Sequence, residues 1–426
     1  MRRSHSPAKK TASGPRSARA SAQSDERQLS PVKCTTQMPL CSTDSDFYGI
    51  AQTVDAADQA LLARVRAFAE DRVAPIINHY WGRAEFPFEI ISEYGGLGIA
   101  GAAYKEFGCL DKGALVDGLI MMELARIDCS IATFHGVHSG LAMGSIYLCG
   151  SDEQKQRWLP AMQCAKTIGA FGLTEPEVGS GAARGLTTTA KRDGSGWILN
   201  GRKRWIGNAT FADLTVIWAR DVDDNQVKGF VVEKGTPGFA TEKMAHKMAL
   251  RVVQNATIEL HDCRVGEENR LAKARSFKDT AAVLRMTRAG VAWAAVGCAA
   301  GAYEHALRYA CERKQFDRPI AGFQLVQDLL VRMLSNVTAS QCLMLRLAQL
   351  GSMSEEHASL AKAFCTVRAR ETVGWARELL GGNGILLDHN VGRFVADAEA
   401  IYSYEGTREI NSLIVGRAIT GLGAFV

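Results

Sequence analysis

The hydrophobic period changes twice along this chain, from helical to strand-like and back, and few architectures allow that order. From about residue 52 to 165, apolar residues recur at helical spacing. Ala60, Leu61, Val65, Phe68 and Ala69 alternate with Arg and Asp, and Leu119, Met122, Leu124 and Ala125 repeat the pattern. From about 166 to 275 the period falls to two. Leu214-Thr-Val-Ile-Trp218 and Lys228-Gly-Phe-Val-Val-Glu233 flank a polar turn at 221–226, and Ala256-Thr-Ile-Glu-Leu260 alternates again. Gly196-Trp-Ile-Leu199 and Arg204-Trp-Ile206 flank Asn200-Gly201. Asn-Gly suits a type I′ turn, so a hairpin is expected there. From about 276 the helical pattern returns in long segments at 277–314, 322–350, 355–380 and 406–420. The order predicts a mostly α, α+β chain: an N-terminal helical domain (46–165), a middle antiparallel β-domain (166–275) and a C-terminal helical bundle (276–426).

Composition removes several function classes. At 47% hydrophobic and 22% charged, the 426 residues cannot be a disordered or collagen-like chain. The formal charge of +5 is concentrated at the start, in Arg2, Arg3, Lys9, Lys10, Arg16 and Arg19, with no acid before Asp25. The rest is close to neutral, so it offers no basic surface for nucleic acid or anionic lipid. Residues 1–45 are rich in Ser, Ala, Arg, Thr and Pro and are expected to be a disordered basic tail. An acid-poor start suits an organellar transit peptide, whereas the lack of an amphipathic helix with Leu or Phe favours a plain extension or an upstream start codon. The 11 cysteines are scattered with no CxxC and no metal-ligand spacing, so reduced thiols and no metal are expected. No apolar run is long enough for a membrane span.

Four short motifs could carry chemistry, and each has a plain structural explanation. Phe171-Gly-Leu-Thr-Glu-Pro-Glu-Val-Gly-Ser180 could bring backbone N–H groups to a phosphate or flavin edge, or be a strand-to-loop turn. Arg313-Lys-Gln-Phe316 could grip a pyrophosphate, or end a helix in solvent. Leu380-Gly-Gly-Asn-Gly384 could approach a ligand closely, or be a glycine C-cap. Tyr404-Glu-Gly-Thr407 could hold a carboxylate in an apolar pocket as a base, or cap a helix. There is no GxGxxG and no P-loop.

In this order and spacing the four motifs together resemble the acyl-CoA dehydrogenase and acyl-CoA oxidase flavoprotein family, over residues 55 to 426. Within it, Lys203-Arg-Trp-Ile-Gly-Asn-Ala-Thr-Phe-Ala-Asp213 and Glu312-Arg-Lys-Gln-Phe316 look most like the plant peroxisomal short-chain acyl-CoA oxidase, then glutaryl-CoA dehydrogenase. The resemblance implies a C-terminal four-helix bundle and an FAD between it and the β-domain. It implies that Phe171, Leu173 and Thr174 line the flavin, that Gly179 and Ser180 lie near cofactor and CoA, and that Trp205, Ile206 and Gly207 cover the other flavin edge. Arg313 and Gln324, with Glu378, Leu379, Leu380, Gly381 and Gly382, would hold the FAD of a neighbouring subunit, which requires a homo-oligomer, usually a tetramer. Thr407, Arg408 and Glu409 would touch FAD. Thr133, Ser180, Arg288 and Gly406 would meet the substrate.

Glu405 would be the catalytic base. A thioester α-C–H is far less acidic than a carboxylic acid, so the site must both acidify that carbon and raise the carboxyl pKa. The family does the first with the backbone N–H of the base residue and a ribityl hydroxyl. The β-hydrogen then leaves as hydride to the flavin, giving a trans-2-enoyl-CoA.

Three departures matter. The family's Trp-Ile-Thr reads Trp205-Ile206-Gly207, a glycine shared with the plant oxidase. The Arg that binds the distal carboxylate in glutaryl-CoA dehydrogenase aligns with Ala132, so a dicarboxylyl substrate would leave a charge unpaired. The family's Gly-Ser-Asp reads Gly179-Ser180-Gly181. The reading is an acyl-CoA dehydrogenase for short or medium monocarboxylyl-CoA, passing electrons to an electron-transfer flavoprotein. The alternatives are an oxidase using O₂, which the Ala424-Phe425-Val426 ending opposes because it is no peroxisomal address, and a catalytically silent assembly factor, which the intact Glu405 opposes. A bacterial protein would be cytoplasmic; a transit peptide would place it in the mitochondrial matrix.

Overall fold

The computed structural model describes residues 44–424. The disordered tail expected at 1–45 lies outside that range except for its last two residues. Ser45 is already packed: its buried hydroxyl donates to Glu304 Oε1 at 2.7 Å.

Helices α1 (Ala56–Phe68), α2 (Ala74–Arg83), α3 (Ile91–Leu97), α4 (Ala114–Ile127), α5 (Cys129–His135), α6 (Gly144–Cys149) and α7 (Asp152–Gln163) precede the sheet. Their starts follow capping chemistry. Asp55 accepts from Asp58 N–H at 2.8 Å before α1, and Asp128 accepts from Ser130 and Ile131 N–H at 2.9 and 3.1 Å before α5. Between α5 and α6, Gly136–Met143 winds as a wider π-type helix, a deviation that clusters at functional sites.

The sheet contains β1 (Gly169–Gly172), β2 (Thr189–Asp193), β3 (Gly196–Ile206), β4 (Leu214–Asp221), β5 (Val227–Glu233), β6 (Phe239–Lys243) and β7 (Ala256–Gly266), with the short helix α8 (Ala182–Gly185) between β1 and β2. Most pairings are antiparallel, but β4 runs parallel to β1 and β2. The turn at 221–226 does join β4 to β5. The hairpin expected at Asn200-Gly201 is a correction. Strand β3 runs straight through both residues, and the turn lies at Gly194-Ser195, because Asp193 pairs with Gly196. Asn200 instead exchanges two bonds with β7, donating to Asp262 Oδ1 at 3.0 Å and accepting from Asp262 N–H at 2.8 Å. The register shifts between Leu199 and Gly201, so the dipeptide is a bulge.

Helices α9 (Phe277–Glu312), α10 (Gln324–Ala348), α11 (Glu355–Leu380), α12 (Val391–Ser403) and α13 (Arg408–Thr420) follow. The sequence reading did not anticipate α12. Helix α9 is buried along most of its length because α11 and α4 pack against it, and α4 approaches closely. A Cβ on Gly118 would sit 2.0 Å from Trp293 Nε1, and one on Gly301 would sit 2.1 Å from the Arg126 carbonyl. Arg126, itself buried, ties the pair by bridging Glu123 at 3.0 Å and Glu304 at 2.9 Å. No helix among the described residues is long and apolar enough to cross a membrane.

Candidate active site

Residues 129–143 are the hub on which the site is built. His138 Nδ1 accepts from Gly169 N–H at 3.0 Å, so its proton sits on Nε2, which donates to the Met162 carbonyl at 2.9 Å. That fixes β1 against the hub. Asn208 reaches the Phe134 carbonyl at 3.3 Å, which fixes the turn after β3. A Cβ on Gly207 would lie 3.1 Å from Val137 Cγ2, and one on Gly140 would lie 3.2 Å from Thr287 Cγ2 on α9. Thr133 donates to the Cys129 carbonyl at 2.8 Å and also bonds the Tyr404 side chain. One helical segment therefore touches β1, the 205–208 turn, α9 and the residue before Glu405.

Glu405 sits between α12 and α13 with φ 52°, and Gly406 follows at φ 88°. The left-handed turn is closed from three sides. Thr287 donates its hydroxyl to Glu405 Oε2 at 2.6 Å. The buried Lys362 of α11 donates short bonds to the carbonyls of Tyr404 and Gly406. Asn411 adds a 2.9 Å bond to the Gly406 carbonyl. Burial pushes the Glu405 carboxyl above the ordinary carboxylate range, outweighing Thr287, Lys362 and Arg288, which pull it down. Burial likewise pushes Lys362 down to about 8 against the pull of Glu405. Arg288 pairs with Glu355 at 2.8 Å, while its buried Nε has no partner among the described residues. A half-buried carboxyl with a raised pKa, a hydroxyl donor and nearby cations can take a proton from a weak carbon acid.

The second group of candidate residues lies in the β-domain. Phe171 and Leu173 are buried and Thr174 half-buried, while Gly179 and Ser180 are exposed. Arg204 N–H donates to the Thr174 carbonyl at 2.8 Å, which sets Thr174 beside Trp205. Beneath them lies a fully buried ion pair. Lys203 Nζ reaches Glu175 Oε1 at 2.9 Å and the Leu173 carbonyl at 3.1 Å, and Glu175 also accepts from Thr187 and Thr188 N–H at 2.7 and 2.9 Å. Trp205 stands at φ 67° with its side chain 53% exposed, and Ile206 is buried. An exposed indole beside an apolar strand end and an open Gly-Ser turn fits a flat aromatic cofactor such as FAD.

The third group lies far from Glu405 along α9. Thr287 and Arg313 bracket most of α9, 26 residues or roughly 39 Å apart. Exposed Arg313 caps the Tyr309 carbonyl at 2.8 Å, and Asn383 reaches the Tyr309 hydroxyl at 3.0 Å, so Arg313 and the 381–385 turn share the far end of the bundle. Gln324, Glu378, Gly381 and Gly382 are exposed, Leu379 half-buried and Leu380 buried. After Glu405, Thr407 caps α13 through Ile410 N–H at 3.3 Å, and Arg408 and Glu409 face solvent.

Two residues of the site escaped the sequence reading. Thr287 carries no local signal that distinguishes it from its neighbours on α9. Lys362 is the one cation in the buried stripe Ala358, Lys362, Cys365, Ala369, Val373, Ala376 and Leu380 of α11, and a lysine at core spacing was the available signal.

A helical domain, a β-domain and a helical bundle, with a buried carboxylate in a left-handed turn between the last two helices, form the frame of a flavin-dependent acyl-thioester oxidoreductase. Comparison with known proteins gives the same class. The acyl-CoA dehydrogenase N-terminal domain matches residues 55–186, the middle domain 170–263 and the C-terminal domain 277–420. The chain is 33% identical to an acyl-CoA dehydrogenase of Bacillus subtilis over 84% of this chain and 96% of that one. It is 32% identical to the human mitochondrial short-chain specific acyl-CoA dehydrogenase over 87% and 92%. A glutaryl-CoA dehydrogenase of Mycobacterium smegmatis, solved with FADH2, superposes with a TM-score of 0.86 at 34% identity, over 89% of this chain and 98% of that one. The chain belongs to the acyl-CoA dehydrogenase family, whose members are FAD-dependent oxidoreductases acting on the CH–CH group of acyl-CoA.

Proposed function

We propose that this protein converts short or medium monocarboxylyl-CoA to the trans-2-enoyl-CoA, with Glu405 as base and an electron-transfer flavoprotein as acceptor. The observation that carries the reading is the Glu405 carboxyl, raised in pKa and held by Thr287 at 2.6 Å in a left-handed turn. Glu405 takes the α-proton, and its backbone N–H, with the carbonyls on either side turned away, is free to receive the thioester oxygen as negative charge grows there. FAD, when bound, accepts the β-hydrogen as hydride. Phe171, Leu173, Thr174, Trp205, Ile206 and Gly207 line its ring, and Gly179 and Ser180 lie toward the CoA. Thr133, Arg288 and Gly406 border the acyl thioester, and Thr407, Arg408 and Glu409 border the cofactor. Arg313, Gln324 and residues 378–382 serve the FAD of a neighbouring copy in a homotetramer, since α9 keeps them from the Glu405 cavity of their own chain. Ala132, fully buried, supplies no cation for a second carboxylate, which supports a monocarboxylyl substrate.

Two features favour the oxidase: Gly207 and the resemblance of residues 203–213 and 312–316 to the plant oxidase. Val137 Cγ2 lies 3.1 Å from where a Cβ at 207 would be, so the missing side chain opens little extra room for O₂, which supports the dehydrogenase. Aerobic assay with butyryl-CoA separates the two: a dehydrogenase needs an added acceptor, and stoichiometric peroxide without one overturns that assignment. Glu405→Gln is expected to keep FAD and butyryl-CoA binding while flavin reduction falls by several orders of magnitude. Unchanged bleaching of the flavin removes Glu405 as the base.

A further inference from the structure

Lys362 is fully buried on α11, where an unpaired ammonium is costly, yet no carboxylate lies within ion-pair distance of it among the described residues. Its hydrogen-bond partners are two backbone carbonyls, those of Tyr404 and Gly406, which flank Glu405 on either side. In a trans peptide the C=O and the following N–H point opposite ways. Drawing the Tyr404 carbonyl onto α11 therefore aims the Glu405 N–H away from α11, and that N–H donates to no group among the described residues. Drawing in the Gly406 carbonyl as well pins both ends of a turn whose central residue has φ 52°, a conformation an L-residue otherwise avoids. With the backbone pinned, the carboxylate is left to meet Thr287 at 2.6 Å.

We propose that Lys362 is the positioning residue of the base turn: its ammonium gathers the two flanking carbonyls and so aims both the Glu405 N–H and the Glu405 carboxylate at one thioester. The proposal rests on the reading of Glu405 as base. A buried lysine that only filled space would leave proton abstraction untouched once the protein had folded. A lysine that sets the turn governs the α-proton step and the charge around the base. The other groups facing the base from the elements packed on it are Arg288 of α9, paired with Glu355, and Glu409 of α13, which acts on Lys362. None of them touches the two carbonyls.

The test compares holoenzyme carrying Lys362→Met, which keeps length and loses both donors and charge, with Lys362→Gln, which keeps donors and loses charge. Butyryl-CoA affinity, anaerobic flavin bleaching across pH and deuterium incorporation at the α-carbon in D₂O are read for each. In Lys362→Met, FAD content and affinity should stay within about threefold while bleaching and α-deuteration fall together by about 100-fold, the scale of a misaimed reacting group. The acid limb of the pH profile should move up, because a cation that favours the ionised carboxylate is gone. Lys362→Gln should recover part of the rate with the limb still displaced, and it carries the test by the same readouts if Lys362→Met does not fold. Wild-type bleaching and α-deuteration with an unmoved acid limb overturn the proposal, as does a loss confined to FAD or butyryl-CoA affinity. Wild-type bleaching in Glu405→Gln, run alongside, instead overturns the base reading beneath it.

Discussion

At φ 52°, Glu405 occupies backbone space that costs an L-residue roughly 1–2 kcal/mol, and its neighbours hold it there. Thr287 is the neighbour that touches the carboxylate itself. Its hydroxyl favours the ionised form, so removing it lets burial raise the carboxyl further. In Thr287→Val the acid limb of the flavin-reduction profile should move to higher pH by about one unit, the equivalent of one charge-assisted hydrogen bond. An unmoved limb would show that the hydroxyl does not govern the base. Glu405 could be named as a candidate from sequence, because Tyr404-Glu-Gly-Thr407 is a local string. Thr287 could not, since it lies 118 residues away and only the packing of α9 brings it to the base. Lys362 was half legible: a charge at core spacing marks an interior partner without saying which one.

Among the elements, the sheet shows where local signals fail. Asn200-Gly201 carries the dipeptide of a tight turn, yet β7 offers Asp262 to both ends of the Asn200 amide, and the strand runs on. Tertiary pairing overrode a two-residue preference. Helix α12 was missed for a related reason: Asn390 precedes it at φ 61° and its first turn carries Gly392, so neither a capping side chain nor a clean apolar period announces it. The α4–α9 contact yields a sharper expectation. Gly118→Ala places a methyl inside the Trp293 indole and should destabilise the protein by about 1–3 kcal/mol, read as a lower urea midpoint. Under the Thr174 loop, Lys203→Met leaves Glu175 buried without its cation. A loss of about 3–5 kcal/mol in the same measurement is expected, together with weaker FAD retention. Full stability in either variant would mean that the packing or the pair contributes little.

For the whole molecule, the helix–strand–helix order was legible because hydrophobic period survives at any distance from the active site. The packing of these parts was not, because it depends on contacts from residues 129–143 to four separate segments. The same interior sets the response to acid. His135, His138 and His305 are held neutral by burial, pushed down to about 3, about 4 and about 3, so protons favour the unfolded chain below about pH 6.5. Asp117 and Asp397, pushed up by burial to about 6 and about 7, gain protons in the folded state first and offset that loss. Below about pH 4 the aspartates add nothing more, while His135 and Glu175, whose carboxyl Lys203 holds down at about 2, both favour unfolding. Urea midpoints should therefore change little from pH 7 to 5 and drop steeply below 4. A steep drop already between 7 and 5 would show that the buried aspartates do not balance the histidines.

The segment at 129–143 has a cost for anyone redesigning this enzyme. Thr133 and Val137 stand one helical turn apart, the first against Tyr404 and the second against Gly207. Carving space there for a bulkier acyl tail would also shift the ring-bearing wall. On the proposed reading of the site, substrate range and electron transfer would be geared to the same short stretch of chain, and changes that adapt one would have to be compensated in the other.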